Sequence, residues 1–186
     1  QVIFLDNHDM ARFYSVVNEN TDKYKCGLTW LLTCRGIPQM YYGDEFATTG
    51  VTSPNDGYVR LDFPGGWEGD PINAFTKEGR TPGQNEYFDF TSKLFNWRKN
   101  KSAVHFGKMT HYIPEDNTYV YFRYNANESV MVLLNNSSET KTLKTDRFAE
   151  NIGNHKTGKD VITDKTIDVT KEITLEPKSV LILELK

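Results

Sequence analysis

Val2-Ile3-Phe4-Leu5-Asp6-Asn7-His8-Asp9 is an apolar run that passes without a break into an acid, an amide, an imidazole and a second acid. A continuous apolar run is the pattern of a strand covered on both faces, as parallel strands are. In a closed parallel α/β barrel the loops at the strands' C-terminal ends converge, so a polar cluster there is where chemistry is expected. The order that follows supports a parallel sheet. A short helix is predicted around Met10 to Val17, and a second, capped by Thr21 or Asp22, runs to Cys34 with Leu28, Leu31 and Leu32 on one face. Arg35-Gly36 ends it. Ile37-Pro38-Gln39-Met40-Tyr41-Tyr42 then reads as another buried strand, stopped by Gly43, with Pro38 tolerated because it lies near the strand's start. Strand, helix, strand is the grammar of a parallel sheet.

Residues 44 to about 83 form a loop rich in Gly, Pro, Asp and Asn, and so long a connection in a compact domain is usually functional. Glu86 to Lys99 is predicted as a helix facing inward with Phe88, Phe90, Leu94, Phe95 and Trp97. From about Val104 the period changes to short alternating segments: Lys108–Ile113, Thr118–Tyr124, Ser129–Leu134, Thr140–Leu143, Glu172–Leu175 and Val180–Leu185. Turn residues between them predict an antiparallel β-sandwich over 103–186, after an α/β part over 1–102.

Composition sets outer bounds. A net charge of −3 with no basic stripe argues against nucleic acid, and no apolar run approaches the roughly 20 residues of a membrane span. Cys26 and Cys34 lie on one predicted helix, about 12 Å apart along its axis, too far for a disulfide between them; both are expected as reduced, buried thiols. No metal is expected, since no spacing in the long loop matches a calcium loop, and no cofactor is expected either. The chain opens at Gln1 directly on a buried-type strand, which reads as a piece of something longer.

Taken generically, Asp9 could stabilise positive charge on a sugar ring and His8 could donate to a hydroxyl. An equal alternative is a loop aspartate capping the helix after it. Residues 4 to 13, Phe-Leu-Asp-Asn-His-Asp-Met-Ala-Arg-Phe, resemble the strand-seven motif of the α-amylase family of glycoside hydrolases. The resemblance implies that His8 binds sugar hydroxyls and that Asp9 is the third catalytic carboxylate, the one that stabilises the transition state. Asp6 and Asn7 would brace the strand end, and Arg12 would pair with a neighbouring acid in a structural role. Gly36-Ile37-Pro38-Gln39-Met40-Tyr41-Tyr42-Gly43-Asp44-Glu45 is similar to the family's strand-eight motif. Adjacent side chains of an extended segment point apart, so Asp44 and Glu45 are poorly placed to act on one bond, and Glu45 is expected to be a buried structural carboxylate.

Asp56 and Arg60 have the spacing that the family uses for sugars beyond the cleavage point, where acid and guanidinium would bind hydroxyls in parallel; the bland alternative is a surface ion pair pinning the loop. Phe63-Pro64-Gly65-Gly66-Trp67, Asn73-Ala74-Phe75 and Arg80-Thr81-Pro82 resemble the neopullulanase and cyclomaltodextrinase branch. Trp67 could stack on a glucose face or anchor the loop from inside.

By this resemblance the chain is the end of a (β/α)8 barrel followed by a C-terminal β-sandwich. The parent would be a retaining hydrolase of α-1,4 links in maltodextrin, pullulan or cyclodextrin, in a bacterial periplasm or cytoplasm. The family takes its nucleophile Asp from strand four and its acid/base Glu from strand five, and neither is in this chain, so the chain alone is expected to be inactive. Its expected partners are an α-glucan and the absent barrel portion, with self-association through open strand edges or disorder before about residue 20 as the other outcomes. Two further readings differ in class. A carbohydrate-binding module would need Tyr112, Tyr119 or Tyr121 to form an exposed platform, whereas a structural module would leave the sandwich as a brace for the barrel.

Overall fold

The computed structural model describes residues 1–186. The order is β1 (Val2–Ile3), α1 (Phe13–Val16), α2 (Thr21–Thr33), β2 (Ile37–Pro38), α3 (Pro82–Arg98) and α4 (Ser102–Phe106). Then come β3 (Lys108–His111), β4 (Thr118–Tyr124), β5 (Ser129–Asn135), β6 (Lys141–Lys144), α5 (Ala149–Ile152), β7 (Thr157–Asp160), β8 (Thr166–Asp168), β9 (Glu172–Leu175) and β10 (Val180–Leu185). Residues 1–24 with 36–93 form one compact unit, and residues 25–35 with 94–186 form another. No helix is long and apolar enough to cross a membrane.

In the first unit β1 and β2 pair in parallel, Val2 opposite Ile37 and Ile3 opposite Pro38. Ile37 N donates to Gln1 O and Gln39 N to Ile3 O, at 3.0 and 2.8 Å. Successive N–H groups of a strand point to opposite sides, so Pro38 falls where this ladder needs no donor. Both strands are shorter than the apolar runs predict, because each has one neighbour and pairing ends where the two chains diverge.

Local chemistry also moves three helix boundaries. The first helix is a single turn at Phe13–Val16, since Met10 is taken up in a turn whose N–H donates to Asn7 O at 3.3 Å. The cap of α2 is Asn20 rather than Thr21 or Asp22: its Oδ1 accepts from Lys23 N at 2.9 Å. Helix α3 starts at Pro82, not Glu86. Thr81 Oγ1 accepts from Gln84 N at 3.2 Å while Gln84 Oε1 accepts from Thr81 N at 2.9 Å, a reciprocal cap with proline in the first helical position. Its buried row is Tyr87, Thr91, Leu94 and Arg98, whereas Phe88, Phe90, Phe95 and Trp97 are only half-buried.

The second unit holds a six-stranded antiparallel sheet, β3-β4-β5-β10-β7-β8, and a two-stranded one, β6-β9. Alternation along β4 and β5 sends Val120, Phe122, Met131 and Leu133 into one core with Leu183 and Leu185, closed by Ile173, Leu175, Phe148 and Ile152. Strands β7 and β8 were not expected, for Thr-Gly-Lys-Asp and Thr-Ile-Asp carry almost no apolar pattern. They form because β10 offers β7 a free edge, and Gly158 fits there closely: a Cβ would come within 2.8 Å of Leu183 Cβ.

The opposite face of β4 carries Tyr121 and Arg123, both buried. Tyr121 OH meets Thr33 Oγ1 at 2.5 Å. Arg123 donates to Thr33 O at 2.9 Å, Cys34 O at 2.7 Å and Gly107 O at 3.3 Å, while Arg98 donates to Leu32 O at 2.8 Å. The last carbonyls of a helix have no helical partner, and cations suit that end of the dipole. Two buried arginines therefore close the C-terminus of α2. Cys26 and Cys34 are free and half-buried rather than buried, and burial raises the Cys34 pKa, keeping it a thiol.

Replacing Arg123 with Met leaves three carbonyls short of a donor. Urea unfolding is expected to show a loss of about 1–3 kcal/mol with an unchanged m value.

Candidate functional site

The turn that follows β1 is built by Asn7, whose side-chain oxygen accepts from Asp9 N at 2.8 Å. It leaves His8 and Asp9 pointing outward, with side chains 63% and 61% exposed and His8 Nε2 3.3 Å from Asp9 Oδ2. A second short turn, Asp56–Val59, is capped by Asn55, whose Oδ1 accepts from Gly57 N at 2.9 Å. This turn delivers Arg60. Its Nε donates to His8 O at 2.8 Å, and its Nη2 donates to Asp9 Oδ1 at 2.9 Å and to Asp56 Oδ2 at 3.1 Å. His8, Asp9, Asp56 and Arg60 thus lie in one exposed cluster. Arg60 does not stand beside Asp56 alone; it sits between two carboxylates from segments some fifty positions apart. Exposed pairs of this kind contribute little to stability, so they can exchange partners.

Beneath the cluster lies Arg12, 1% exposed. Its Nη1 donates to Tyr42 O at 2.6 Å and its Nε to Val59 O at 3.1 Å, while its backbone N donates to Gly50 O at 2.9 Å. The guanidinium lies 4.0 Å from the Tyr41 ring centre and 4.8 Å from that of Tyr42, and Nη1 is 3.5 Å from Asp44 Oδ1. Tyr42 OH donates to Leu61 O at 2.6 Å. The carbonyls on either side of Arg60, those of Val59 and Leu61, are therefore both held from below. Sequence spacing gave no sign that Tyr42 serves Arg60 in this way.

The acid pair after strand β2 differs from expectation. Gly43 adopts φ 88°, turning the chain into a tight helical turn at Asp44–Phe46 instead of an extended one. Asp44 is the buried acid, and Glu45 is half-buried with Oε2 accepting from Gly43 N at 2.8 Å. Burial first, then the nearby Asp6, pushes the Asp44 carboxyl up to about 8. Trp67 is 79% exposed, so it does not anchor the loop. Phe63 does, between Phe46 at 5.3 Å and Phe75 at 4.4 Å, together with buried Arg80, which donates to Ala74 O at 2.7 Å and stacks 3.9 Å from Phe88.

The tyrosines on which a carbohydrate-binding sandwich would depend are not gathered on one exposed face. Tyr121 is fully buried, and Tyr112 packs 4.9 Å from Phe148 with its hydroxyl donating to Asn151 Oδ1 at 2.8 Å.

Adjacent parallel strands with acids, an imidazole and a guanidinium beyond their C-terminal ends, followed by antiparallel sheets, make up the closing portion of a (β/α)8 barrel and a C-terminal β-sandwich. The chain belongs to the α-amylase family: residues 1–141 match the α-amylase catalytic domain, and residues 109–184 match the cyclo-malto-dextrinase C-terminal domain. It is 31% identical over 143 residues to a cyclomaltodextrin glucanotransferase of Bacillus sp. (strain 1-1), covering 77% of this chain and 18% of that protein. An α-amylase of Niallia circulans is 33% identical over 135 residues, covering 73% of this chain and 22% of the relative. The chain therefore spans about a fifth of these relatives. The crystal structure of an α-amylase from Geobacillus thermoleovorans complexed with acarbose shares the fold, with a TM-score of 0.75 at 24% identity, over 100% of this chain and 38% of that one.

Arg12→Met removes the buried cation while leaving comparable bulk. A loss of about 3 kcal/mol or more is expected, read by chemical unfolding.

Proposed function

We propose that this chain is the C-terminal portion of a retaining α-glucan hydrolase acting on α-1,4 linkages of maltodextrin, pullulan or cyclodextrin. In this reading residues 1–102 are the last two βα units of its barrel and residues 103–186 its terminal sandwich. The observation that carries the reading is the hold of Arg60 on Asp9 Oδ1, with His8 Nε2 3.3 Å from Oδ2, in a cluster that Asp56 completes. A carboxylate set by its turn and held by a guanidinium is in place beforehand to meet charge developing on a substrate, and groups already in place need not reorganise in the transition state.

Asp9 stabilises the oxocarbenium-like transition state without attacking or protonating. His8 donates to a hydroxyl of the same sugar, and Asp56 with Arg60 holds a neighbouring one. Retention needs two further carboxyls about 5–5.5 Å apart, one nucleophilic and one protonating. The proposal places both in a preceding part of the barrel, so the 186-residue chain by itself does not cleave glucans. A relative named as a glucanotransferase supports the same chemistry with sugar rather than water as acceptor, and product analysis separates the two, since hydrolysis frees one new reducing end for each linkage broken and transfer to a sugar frees none net.

The apolar residues of the open strand pair support a barrel partner: Val2, Phe4 and Ile37 are 50%, 42% and 65% exposed. Open strand edges of this kind recruit another chain, either the remaining barrel or a second copy.

In the full-length enzyme, Asp9→Asn is expected to lower kcat by about 10²–10³-fold with little change in KM, and Arg60→Ala to raise KM. Release of reducing ends from maltodextrin checks both. Cleavage by the isolated 186-residue chain would overturn the proposal.

A further inference from the structure

We propose that Asp6 and Asp44 share a single proton, and that this carboxyl–carboxylate pair positions the Asn7–Asp9 turn from beneath. Asp6 is 1% exposed and Asp44 is 4% exposed. Asp6 Oδ2 accepts from Phe13 N at 2.6 Å, so this side chain spans the turn from its first residue to the start of α1. Its other oxygen, Oδ1, and Oδ1 of Asp44 are buried with no donor, although the two side chains lie within hydrogen-bonding reach of each other. Ionised carboxylates only accept. Two facing acceptors sealed from water would repel, and only a proton between them makes the contact attractive.

The charges around the pair lead to the same count. Arg12 supplies one positive charge, 3.5 Å from Asp44 Oδ1, and spends two of its N–H groups on Tyr42 O and Val59 O. One cation balances one of two acids. From α2, Tyr24 faces the pair, but its hydroxyl donates to the Asp44 backbone carbonyl at 2.6 Å, and burial followed by Asp44, Asp6 and Glu45 keeps it protonated. Glu45, the remaining acid on the Asp44 turn, is occupied with Gly43 N. Tyr41 lies against the guanidinium. None of these groups donates to the two unpartnered oxygens.

Asp6 and Asp44 touch no substrate in this arrangement; they are positioning residues. That the turn they hold is catalytic rests on the function proposed above, whereas the shared proton does not. The linkage has a definite sign. The folded state keeps a proton on Asp44 above its unfolded pKa, so the stabilisation is complete below about pH 4 and is lost as pH rises through about 8.

The test is urea unfolding between pH 5 and 9 of the full-length protein and, separately, of the 186-residue chain, as wild type, Asp44→Asn and Asp44→Ala. The Asn amide can donate to Asp6 at every pH. Asp44→Asn should therefore fold and lose the wild-type decline with pH, in which the unfolding constant rises by as much as ~10-fold per unit, whereas Asp44→Ala should be less stable throughout. In wild type labelled with ¹³C at the aspartate carboxyls, one resonance should titrate near pH 8, and Asp44→Asn should abolish it. A pH slope unchanged in Asp44→Asn, equal loss in the Asn and Ala variants, or no such resonance overturns the inference. An Asp9→Asn enzyme that retains full activity would instead overturn the proposed function and leave the pair intact.

Discussion

A buried guanidinium holds the first unit together. Arg12 donates to the carbonyls of Tyr42 and Val59, stacks on two tyrosine rings and borders Asp44, all from a position three residues after Asp9. Lysine could not replace it, for an ammonium has neither the planar fork to satisfy carbonyls in different directions nor the flat face to lie against Tyr41 and Tyr42. Taking such a charge from water is costly, and only full hydrogen bonding with a nearby counter-charge offsets the cost. The same bonds impose order on a stretch that would otherwise be a long irregular loop. Val59 becomes a fixed point through the guanidinium, Gly50 through the Arg12 backbone N and Leu61 through the Tyr42 hydroxyl, and the turn bearing Arg60 is suspended between Val59 and Leu61.

This foundation separates two kinds of electrostatics. The buried set of Arg12, Asp6 and Asp44 is nearly closed to solvent. The exposed set of His8, Asp9, Asp56 and Arg60 is solvated, and its pairs are individually weak. For the glucan binding proposed above, a weak pair can be displaced at small cost, but it must be in the right place beforehand. Rigidity comes from below and exchangeability from above, and neither set could supply both.

What could be read from the sequence follows from how local each determinant is. The starts of the two parallel strands, the change to alternating strands after Val104 and the borders of β4, β9 and β10 are carried by runs of residues and were legible there. The start of α3 was also written locally, in Thr81-Pro82-Gly83-Gln84, as a capping signature. Strands β7 and β8 were not legible, because the edge of β10 makes them strands, not their own residues. The cluster was half legible. Motif strings pointed to His8 and Asp9, and resemblance to the family's loop spacing pointed to Asp56 and Arg60, but the bond from Arg60 to Asp9 crosses a loop whose course is set by Arg12 and Tyr42. Burial of Asp44 rather than Glu45 depends on the left-handed turn at Gly43, and no periodicity reports which of two neighbouring acids that turn sends inward.

The second unit solves a related problem with the same residue type. The last carbonyls of α2 lie among buried side chains, where water cannot serve them, and Arg98 and Arg123 bring donors from α3 and β4. Arginine suits this task because its charge persists in poorly solvated surroundings and its several N–H groups can serve carbonyls that diverge. Tyr121, on the same face of β4, adds a hydroxyl contact to Thr33. A strand face bearing Tyr and Arg therefore becomes as fully buried as the opposite face bearing Val and Phe, although only the latter shows a hydrophobic pattern. Hydropathy alone would assign the Tyr121 and Arg123 side of β4 to solvent; hydrogen-bond accounting for the end of α2 assigns it to the interior.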